Sequence, residues 1–330
     1  MNPTTQEAIS LYPPLTLALA TASVAAYDDF EGKTVIPPPD YKIYARFTGW
    51  NEWFGEWGQE ERFGLIFKYH GPNPLLKRYI VAFRGTKSYS DLFDDLFWSF
   101  VPFQPYHNSV SPVPNVSSGF YGIYSGIGGT MQHSMQQQVF SLLPEDPGEV
   151  YITGHSLGGA LSQLFTLDAR VSRPALPVKT INFASARVGD SNWAAACQAA
   201  GATARIIRVV NYWDIVPDYP FKISGYESIG TQFDVAFSRS SLFPSWLSDH
   251  SLLNYRIVLR HCLYLHPQVW VGKFTDAINS WFEMYSTDIP AISHEEWVAA
   301  VQAITQHKET ILRSARQESG IVPGENFWGI

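Results

Sequence analysis

The chain has 330 residues, of which 45% are apolar and 16% charged, a composition that excludes a disordered or highly charged protein. Its length is sufficient for a large buried core, and single α/β domains often reach this size. The net charge of −7 offers no concentrated positive charge, so nucleic acid is not expected as a partner, and 2 cysteines are too few for a disulfide framework or a cysteine-based zinc site.

An apolar stretch, Leu15–Ala26, comes first in the chain. It lacks the features of a signal peptide, because no Lys or Arg precedes it, Glu7 does, and Pro13-Pro14 interrupts its start. It is also too short to span a membrane. We therefore expect a helix of the folded domain and no transmembrane segment, and the cellular compartment stays open.

The next part of the chain, Ile43–Arg84, has the pattern of β-strands. Phe63–Tyr69 and Arg78–Phe83 flank a turn at 70–77 that contains Gly and Pro. Residues Pro102–Ser118 contain four prolines and predict an extended loop.

Helix-like and strand-like segments then alternate. In chain order they are helix Phe120–Leu143, strand Val150–Thr153, helix Leu157–Val171, strand Val178–Phe183, helix Asn192–Ala200 and strand Arg205–Val210. This alternation is typical of parallel βαβ units, so the predicted fold class is α/β, a mostly parallel central sheet flanked by helices. A capping-box pattern at 293–296 opens a further amphipathic helix, so the last ~60 residues are expected to be a helical appendage.

The sequence GHSLG at 154–158 fits the G-x-S-x-G motif of serine hydrolases. It directly follows a strand and directly precedes a helix, which is the context the motif requires. Glycines allow a tight turn that lifts the hydroxyl of Ser156 above the sheet, near the free N–H groups of the helix. Ser156 is therefore predicted to be a nucleophile, whereas His155 is interpreted as structural because adjacent side chains diverge in such a turn.

A serine nucleophile needs a histidine as base and a carboxylate that orients the histidine. Asp214 follows a strand and precedes Ile-Val-Pro, which makes it the first candidate for the acid, with Asp218 as the runner-up. His250 lies in a polar turn before a predicted helix and is the favoured base, whereas His261 and His266 lie further on among apolar residues.

The segment Ser90–Phe100 predicts an amphipathic helix. Its polar residues face away from an apolar stripe that consists of Leu92, Phe93, Leu96, Phe97 and Phe100. A surface helix packed on the core is the ordinary interpretation of such a stripe. The alternative is a lid, because a helix of this kind can cover a pocket in water and turn the same face to a lipid surface.

Six motifs place this chain near a known family. They are IVAFRGT at 80–86, SGF at 118–120, GHSLGGA at 154–160, NFASARVGD at 182–190, DIVP at 214–217 and DH at 249–250. With these motifs in order, the chain resembles the class 3 lipases, the group of the filamentous-fungal triacylglycerol lipases, from the N-terminal helix that ends at Ala26-Tyr27 to about His266. The resemblance implies an α/β-hydrolase domain over residues 1–266, including a lid at 88–103, and leaves 267–330 as a C-terminal helical extension packed on the same domain.

The resemblance also implies roles for individual residues. Asp214 and His250 would complete the triad of Ser156, which leaves Asp218 as a minor alternative. The oxyanion hole would consist of the N–H and hydroxyl of Thr86 and the N–H of Leu157. The helix at 90–100 occupies the place of the family's mobile lid, which favours the lid interpretation and makes its stripe a substrate-binding surface.

The chain departs from the family at three places. Where the family often has Phe-Gly, this chain has Phe183-Ala184. Asp28 stands where secreted fungal relatives have a cysteine, so Cys262 would lack that partner and both cysteines are predicted to be free thiols. The spacing from Asp214 to His250 is shorter than in fungal members, which indicates a trimmed loop.

The predicted function is that of a triacylglycerol lipase, a carboxylic ester hydrolase that acts at a lipid–water interface with lid-mediated activation. A soluble esterase of the feruloyl type or a phospholipase A1 would use the same triad, and a non-catalytic lipid-binding relative is the alternative from another class. The aromatic content of 15% and the Phe-rich lid favour long acyl chains. No cofactor is expected, and no His/Glu cluster has the spacing of metal ligands.

Overall fold

The computed structural model describes residues 13–51, 58–86, 99–211, 214–220, 222–235, 250–256 and 259 of the chain. Within them lies a seven-stranded sheet of order β1-β2-β3-β6-β7-β8-β9 and a two-stranded sheet, β4-β5. The strands are β1 (Tyr41–Asn51), β2 (Gln59–Tyr69), β3 (Arg78–Phe83), β4 (Phe100–Pro102), β5 (Asn115–Ser117), β6 (Glu149–Gly154), β7 (Val178–Phe183), β8 (Ile206–Asn211) and β9 (Thr231–Val235).

The large sheet combines an antiparallel edge with a parallel centre. Strands β1, β2 and β3 pair antiparallel, and every pair from β3 to β9 is parallel. The α/β architecture expected from the alternating segments is confirmed. Because parallel strands end at one edge of a sheet, the segments after Phe83, Gly154, Phe183 and Asn211 meet at that edge.

Helices cover both faces of this sheet. They are α1 (Pro13–Phe30), α2 (Ser118–Ser125), α3 (Met135–Leu142), α4 (Leu157–Ser172) and α5 (Ser191–Ala199). Along β3, Ile80 and Ala82 pack with α1 in one apolar cluster, whereas Val81 and Phe83 pack with the other helices in a second cluster. This alternation follows from the two-residue period of a strand and produces a core on each side of the sheet.

Two predicted segments differ from the structure. The helix expected over Phe120–Leu143 is two helices, α2 and α3, separated by residues 126–134. Gly129 has a φ of 56°, and a Cβ on Gly128 would lie 2.2 Å from the indole of Trp50, so this stretch is built for close packing rather than for a helix. The Pro-rich loop likewise contains a short strand, β5, that pairs with β4.

Phe100 is the one member of the predicted lid stripe that the structure describes, and its assignment to a helix is wrong. It is the first residue of β4, and its ring packs in a tilted arrangement against that of Tyr226 at a centroid distance of 4.5 Å. The remaining stripe residues, Leu92, Phe93, Leu96 and Phe97, lie outside the described residues, as does the C-terminal extension at 267–330.

Cys197 is buried and carries a free thiol, as predicted, whereas Cys262 lies outside the described residues. No helix among the described residues combines the length and apolar character needed to cross a membrane.

A buried carboxylate joins α4 to the Pro-rich loop and to helices α2 and α3. Asp168 is fully buried, and its Oδ1 accepts a hydrogen bond from the backbone N–H of Tyr106 at 2.8 Å and lies 2.7 Å from the hydroxyl of Ser172. Its Oδ2 accepts from the hydroxyl of Tyr124 at 2.9 Å and from Nε2 of Gln136 at 2.6 Å. Burial raises the pKa of Asp168, and these hydrogen bonds oppose that effect by stabilising the charged carboxylate. The Pro-rich loop and the two short helices are thus held on α4 by one side chain.

We predict that Asp168→Asn lowers the free energy of unfolding by about 3 kcal/mol, because the amide leaves two buried donors facing an NH₂ group. Urea unfolding of both proteins measures the difference. Asp146→Asn is the matched control, since Asp146 is exposed and its ion pair is with exposed Lys77, and it should change the free energy by less than about 0.5 kcal/mol. Equal effects of the two substitutions would contradict the prediction.

Candidate active site

Ser156 occupies a sharp turn between β6 and α4. Its backbone has a φ of 60° and a ψ of −126°, a conformation that side-chain-bearing residues rarely adopt. β6 ends at Gly154 and α4 begins at Leu157, so the turn spans two residues. This is the strand–turn–helix context predicted from the GHSLG motif, and it places Ser156 at the start of a buried helix.

The motif glycines allow backbone atoms to touch. A Cβ on Gly154 would lie 2.1 Å from the carbonyl oxygen of Gly158, and one on Gly158 would lie 2.3 Å from the carbonyl oxygen of Phe83. Any side chain at either position would push α4 away from the sheet. The N-terminus of α4 therefore sits directly against the end of β3, where the segment with Thr86 begins.

Asp214 lies just beyond the end of β8 and is 1% exposed. Its Oδ1 accepts a hydrogen bond from the backbone N–H of Val216 at 3.0 Å. Its Oδ2 accepts from the hydroxyl of Tyr255 at 2.9 Å and lies 2.7 Å from Nδ1 of His250. The oxygen of Tyr255 in turn accepts from the backbone N–H of Asn211 at 2.6 Å, so the carboxylate is fixed from both sides.

His250 is buried, and burial lowers its pKa to about 3. The imidazole is therefore neutral at neutral pH and carries one ring proton. Because Asp214 Oδ2 is an acceptor, that proton is on Nδ1, which leaves a lone pair on Nε2. This tautomer is the one that a general base needs.

The residue before Ser156 contacts His250. The ring of His155, the residue before Ser156, lies 4.5 Å from the ring of His250 between centroids. The Oγ of Ser156 is buried and makes no hydrogen bond within the part of the chain that the structure describes. The arrangement thus combines a strained serine, a neutral histidine and a hydrogen-bonded carboxylate in one buried region.

Asp218, the runner-up for the acid, is bound elsewhere. Its Oδ1 accepts a hydrogen bond from Nη2 of Arg187 at 3.1 Å, and the same guanidinium donates to the carbonyl oxygen of Pro220 at 2.8 Å. Asp218 therefore anchors the loop after β8, whereas Asp214 contacts the histidine. The other histidine candidates, His261 and His266, lie outside the described residues.

The two predicted oxyanion donors are at the ends of neighbouring elements. Thr86 is half-buried and lies three residues after β3, and Leu157 is the first residue of α4. Phe83 of β3 pairs with Gly154 of β6, so both segments leave the sheet at the same level. The first N–H groups of a helix have no partner within the helix and favour negative charge.

His155 has more contacts than its sequence position suggested. Its Nε2 lies 2.7 Å from the carbonyl oxygen of His250, and its Nδ1 lies 3.0 Å from the hydroxyl of Tyr27 on α1. The interpretation as structural captures its burial but not its contact with the histidine of the site. No spacing rule in the sequence connects residues 27, 155 and 250.

Ala184, the departure from Phe-Gly, has a φ of 51°. Glycine adopts this region without steric cost, and an alanine there costs on the order of 1 kcal/mol. Its backbone N–H donates to the carbonyl oxygen of Val209 at 2.9 Å, so the conformation is enforced by the sheet. Ala184 therefore carries a side chain in a backbone conformation that favours glycine.

Comparisons with known proteins show which family and which fold this chain resembles. The family described as lipase (class 3) matches residues 80–224. Phospholipase A1-II 1 from Oryza sativa subsp. indica is 30% identical over 174 residues, which are 49% of this chain and 44% of that protein. A lipase from Rhizopus niveus is 28% identical over 159 residues, which are 47% of this chain and 38% of that protein. The chain spans less than half the length of these curated relatives.

Among solved structures, the lipase of Rhizomucor miehei in its propeptide complex is similar in fold, with a TM-score of 0.51 and 22% identity over 73% of this chain and 76% of that one. The matched family region contains the turn of Ser156, and it ends beyond Asp214. Over residues 80–224 the chain matches the class 3 lipase family, and its sheet order and the similar solved structure show the α/β-hydrolase fold.

Proposed function

We propose that this chain is a serine carboxylic ester hydrolase that acts on lipid acyl esters, triacylglycerol first among them. The observation that carries the proposal is the buried pair of Asp214 and His250, 2.7 Å apart, beside the strained turn of Ser156. A neutral imidazole with its proton held on Nδ1 is prepared to take a proton on Nε2. A serine without a hydrogen-bond partner among the described residues is the group that would give it.

The reaction follows from these positions. Ser156 Oγ attacks the ester carbonyl carbon while His250 Nε2 takes its proton, and Asp214 stabilises the imidazolium that forms. The carbonyl oxygen becomes negative and accepts hydrogen bonds from the N–H of Leu157 and from the N–H and hydroxyl of Thr86. His250 then gives its proton to the leaving alcohol, and an acyl-enzyme remains. Water, deprotonated by the same nitrogen, attacks the acyl-enzyme; His250 then returns this proton to Ser156 Oγ as the acyl–oxygen bond breaks, and the fatty acid is released.

A second candidate substrate is a phospholipid ester. The similarity to a rice protein named phospholipase A1 favours it, because the same triad chemistry cleaves either ester. The apolar stripe at 92–97 supports a long acyl chain in both cases. The headgroup is therefore what distinguishes the two candidates.

The first experiment removes the nucleophile. Ser156→Ala should lower kcat by ~10⁴-fold or more on a soluble p-nitrophenyl ester, because no other group can form the acyl-enzyme. Ser141→Ala, on the exposed face of α3, is the control and should keep the wild-type rate. A serine-directed phosphonate should label the wild type and not Ser156→Ala. Full activity of Ser156→Ala would refute the proposal.

The second experiment identifies the substrate of the wild-type protein. Fatty-acid release is titrated from emulsified long-chain triacylglycerol, from phosphatidylcholine vesicles and from the soluble ester. We expect triacylglycerol to be hydrolysed fastest. Faster release from phosphatidylcholine would establish the phospholipase candidate, and activity on the soluble ester alone would indicate an esterase of the feruloyl type. No activity and no labelling would indicate a non-catalytic lipid-binding relative.

The acid is tested with two matched substitutions. Asp214→Asn should lower kcat by ~10⁴-fold, because the amide no longer selects the Nδ1–H tautomer or stabilises the imidazolium. Asp218→Asn should lower kcat by less than ~10-fold, since its partner is Arg187 and not the histidine. Steady-state rates on the soluble ester compare the two. A larger loss for Asp218→Asn would reverse the assignment.

Interfacial activation is the remaining part of the proposal, and it rests on the apolar stripe of the predicted lid. Replacing Phe93 and Phe97 by Ser should reduce hydrolysis of emulsified triacylglycerol several-fold and spare hydrolysis of short soluble esters, because only the lipid surface binds the open stripe. Leu75→Ser is the control, since Leu75 is 88% exposed in the turn between β2 and β3. If both activities fell together, the helix would be a fixed surface helix packed on the core and not a lid.

A further inference from the structure

His155 joins the main chain of His250 to α1 through both of its ring nitrogens. The nitrogen Nε2 is 2.7 Å from the carbonyl oxygen of His250, and Nδ1 is 3.0 Å from the hydroxyl of Tyr27. The side chain of His155 is 2% exposed. Both contacts bridge long sequence separations; the one with His250 is buried and the one with Tyr27 is partly buried.

The proton positions in this chain of hydrogen bonds follow from the acceptors. A backbone carbonyl oxygen only accepts, so Nε2 of His155 carries the proton and donates to His250. A neutral imidazole has one N–H, which makes Nδ1 the acceptor and the hydroxyl of Tyr27 its donor. Burial and the neighbouring His250 lower the pKa of His155 well below its usual value, in agreement with a neutral ring.

We infer that His155 and Tyr27 are positioning residues for the base: His155 holds the carbonyl of His250, and Tyr27 selects the tautomer of His155 that can do so. The inference rests on the proposed function, in which His250 is the base for Ser156. Neither residue touches the substrate in this role.

Two anchors are what give the base a defined direction. Asp214 holds the ring of His250 at Nδ1, and His155 holds its main chain at the carbonyl oxygen. If only the ring of His250 were anchored, its backbone could shift, and Nε2 would then move relative to Ser156. Displacements of about 1 Å at a catalytic group cost ~10²-fold in rate. The second anchor therefore acts on kcat more than on substrate binding.

The same pair of residues also touches the segment of the oxyanion donor. A Cβ on Gly85, the residue before Thr86, would lie 2.1 Å from the hydroxyl oxygen of Tyr27 and 2.5 Å from the carbonyl oxygen of His155. His155 directly precedes the proposed nucleophile and contacts the proposed base, His250. Together with Tyr27, it also lies against Gly85, the residue before the proposed oxyanion donor. Their arrangement sets the three groups relative to one another.

The closing experiment uses two amides that replace different ends of the imidazole. Glutamine presents an N–H where Nε2 is, and asparagine presents a polar group only as far as Nδ1. His155→Asn should lower kcat on the soluble ester by ~10–100-fold with KM changed less than ~3-fold. His155→Gln should retain most of the wild-type kcat, because it still donates to the carbonyl of His250. Steady-state kinetics on the full chain measure both.

Tyr27→Phe provides an independent test that leaves His155 in place. Without the phenol, Nδ1 has no donor, and the Nδ1–H tautomer turns a lone pair toward the carbonyl of His250. We expect kcat to fall by ~10-fold, again with little change in KM. This substitution also keeps the inference testable if His155→Asn does not fold.

The outcomes separate this inference from the proposed function. If Ser156→Ala is inactive but His155→Asn and Tyr27→Phe keep wild-type kcat, the positioning role is overturned and the catalytic role of Ser156 stands. If His155→Gln loses as much kcat as His155→Asn, the donated hydrogen bond is not what matters, and the inference fails. If Ser156→Ala is fully active, the proposed function fails first.

Discussion

The structure depends on direct backbone contact between the start of α4 and the ends of two parallel strands. Gly154 and Gly158 leave no room for a Cβ, with carbonyl oxygens 2.1 and 2.3 Å from where it would be. This contact bends the chain so sharply that Ser156 adopts a positive φ. It also brings the N–H groups of α4 beside the segment that follows β3. The geometry of the proposed nucleophile thus results from two glycines and the register of β3 with β6.

Burial of the polar groups is the second constraint, because a buried carboxylate or imidazole is stable only with partners. Asp214 satisfies it with donors from Val216, Tyr255 and His250, and Asp168 satisfies it with donors from the layer above α4. The first set holds a charge where a reaction is proposed, and the second joins the Pro-rich loop and two short helices to α4. Burial alone therefore does not identify a site; the neighbouring strained serine does.

Much of this could be predicted from the sequence, since strand, turn and helix signals agree locally around residues 150–172. The role of Asp218 could not be decided in this way, because its partner Arg187 lies 31 residues earlier and is brought near only by the fold. The break between α2 and α3 could not be predicted, because the apolar pattern continues through it. Its cause is a distant contact: Gly128 and Gly129 pack on Trp50 of β1. The contacts of His155 join residues 27, 155 and 250, which are far apart in the sequence, so no local pattern predicts them.

The neutral state of His155 matters because, in the proposed reaction, the base beside it becomes positive. The two imidazole rings are 4.5 Å apart between centroids, in a region without solvent exposure, where like charges repel strongly. Both nitrogens of His155 are already engaged, Nδ1 by the hydroxyl of Tyr27 and Nε2 by the carbonyl of His250. Protonation at Nδ1 would require that hydroxyl to turn its proton away, and burial disfavours the resulting cation as well. As His250 takes the proton from Ser156, its charge therefore meets the carboxylate of Asp214 on one side and a neutral ring on the other.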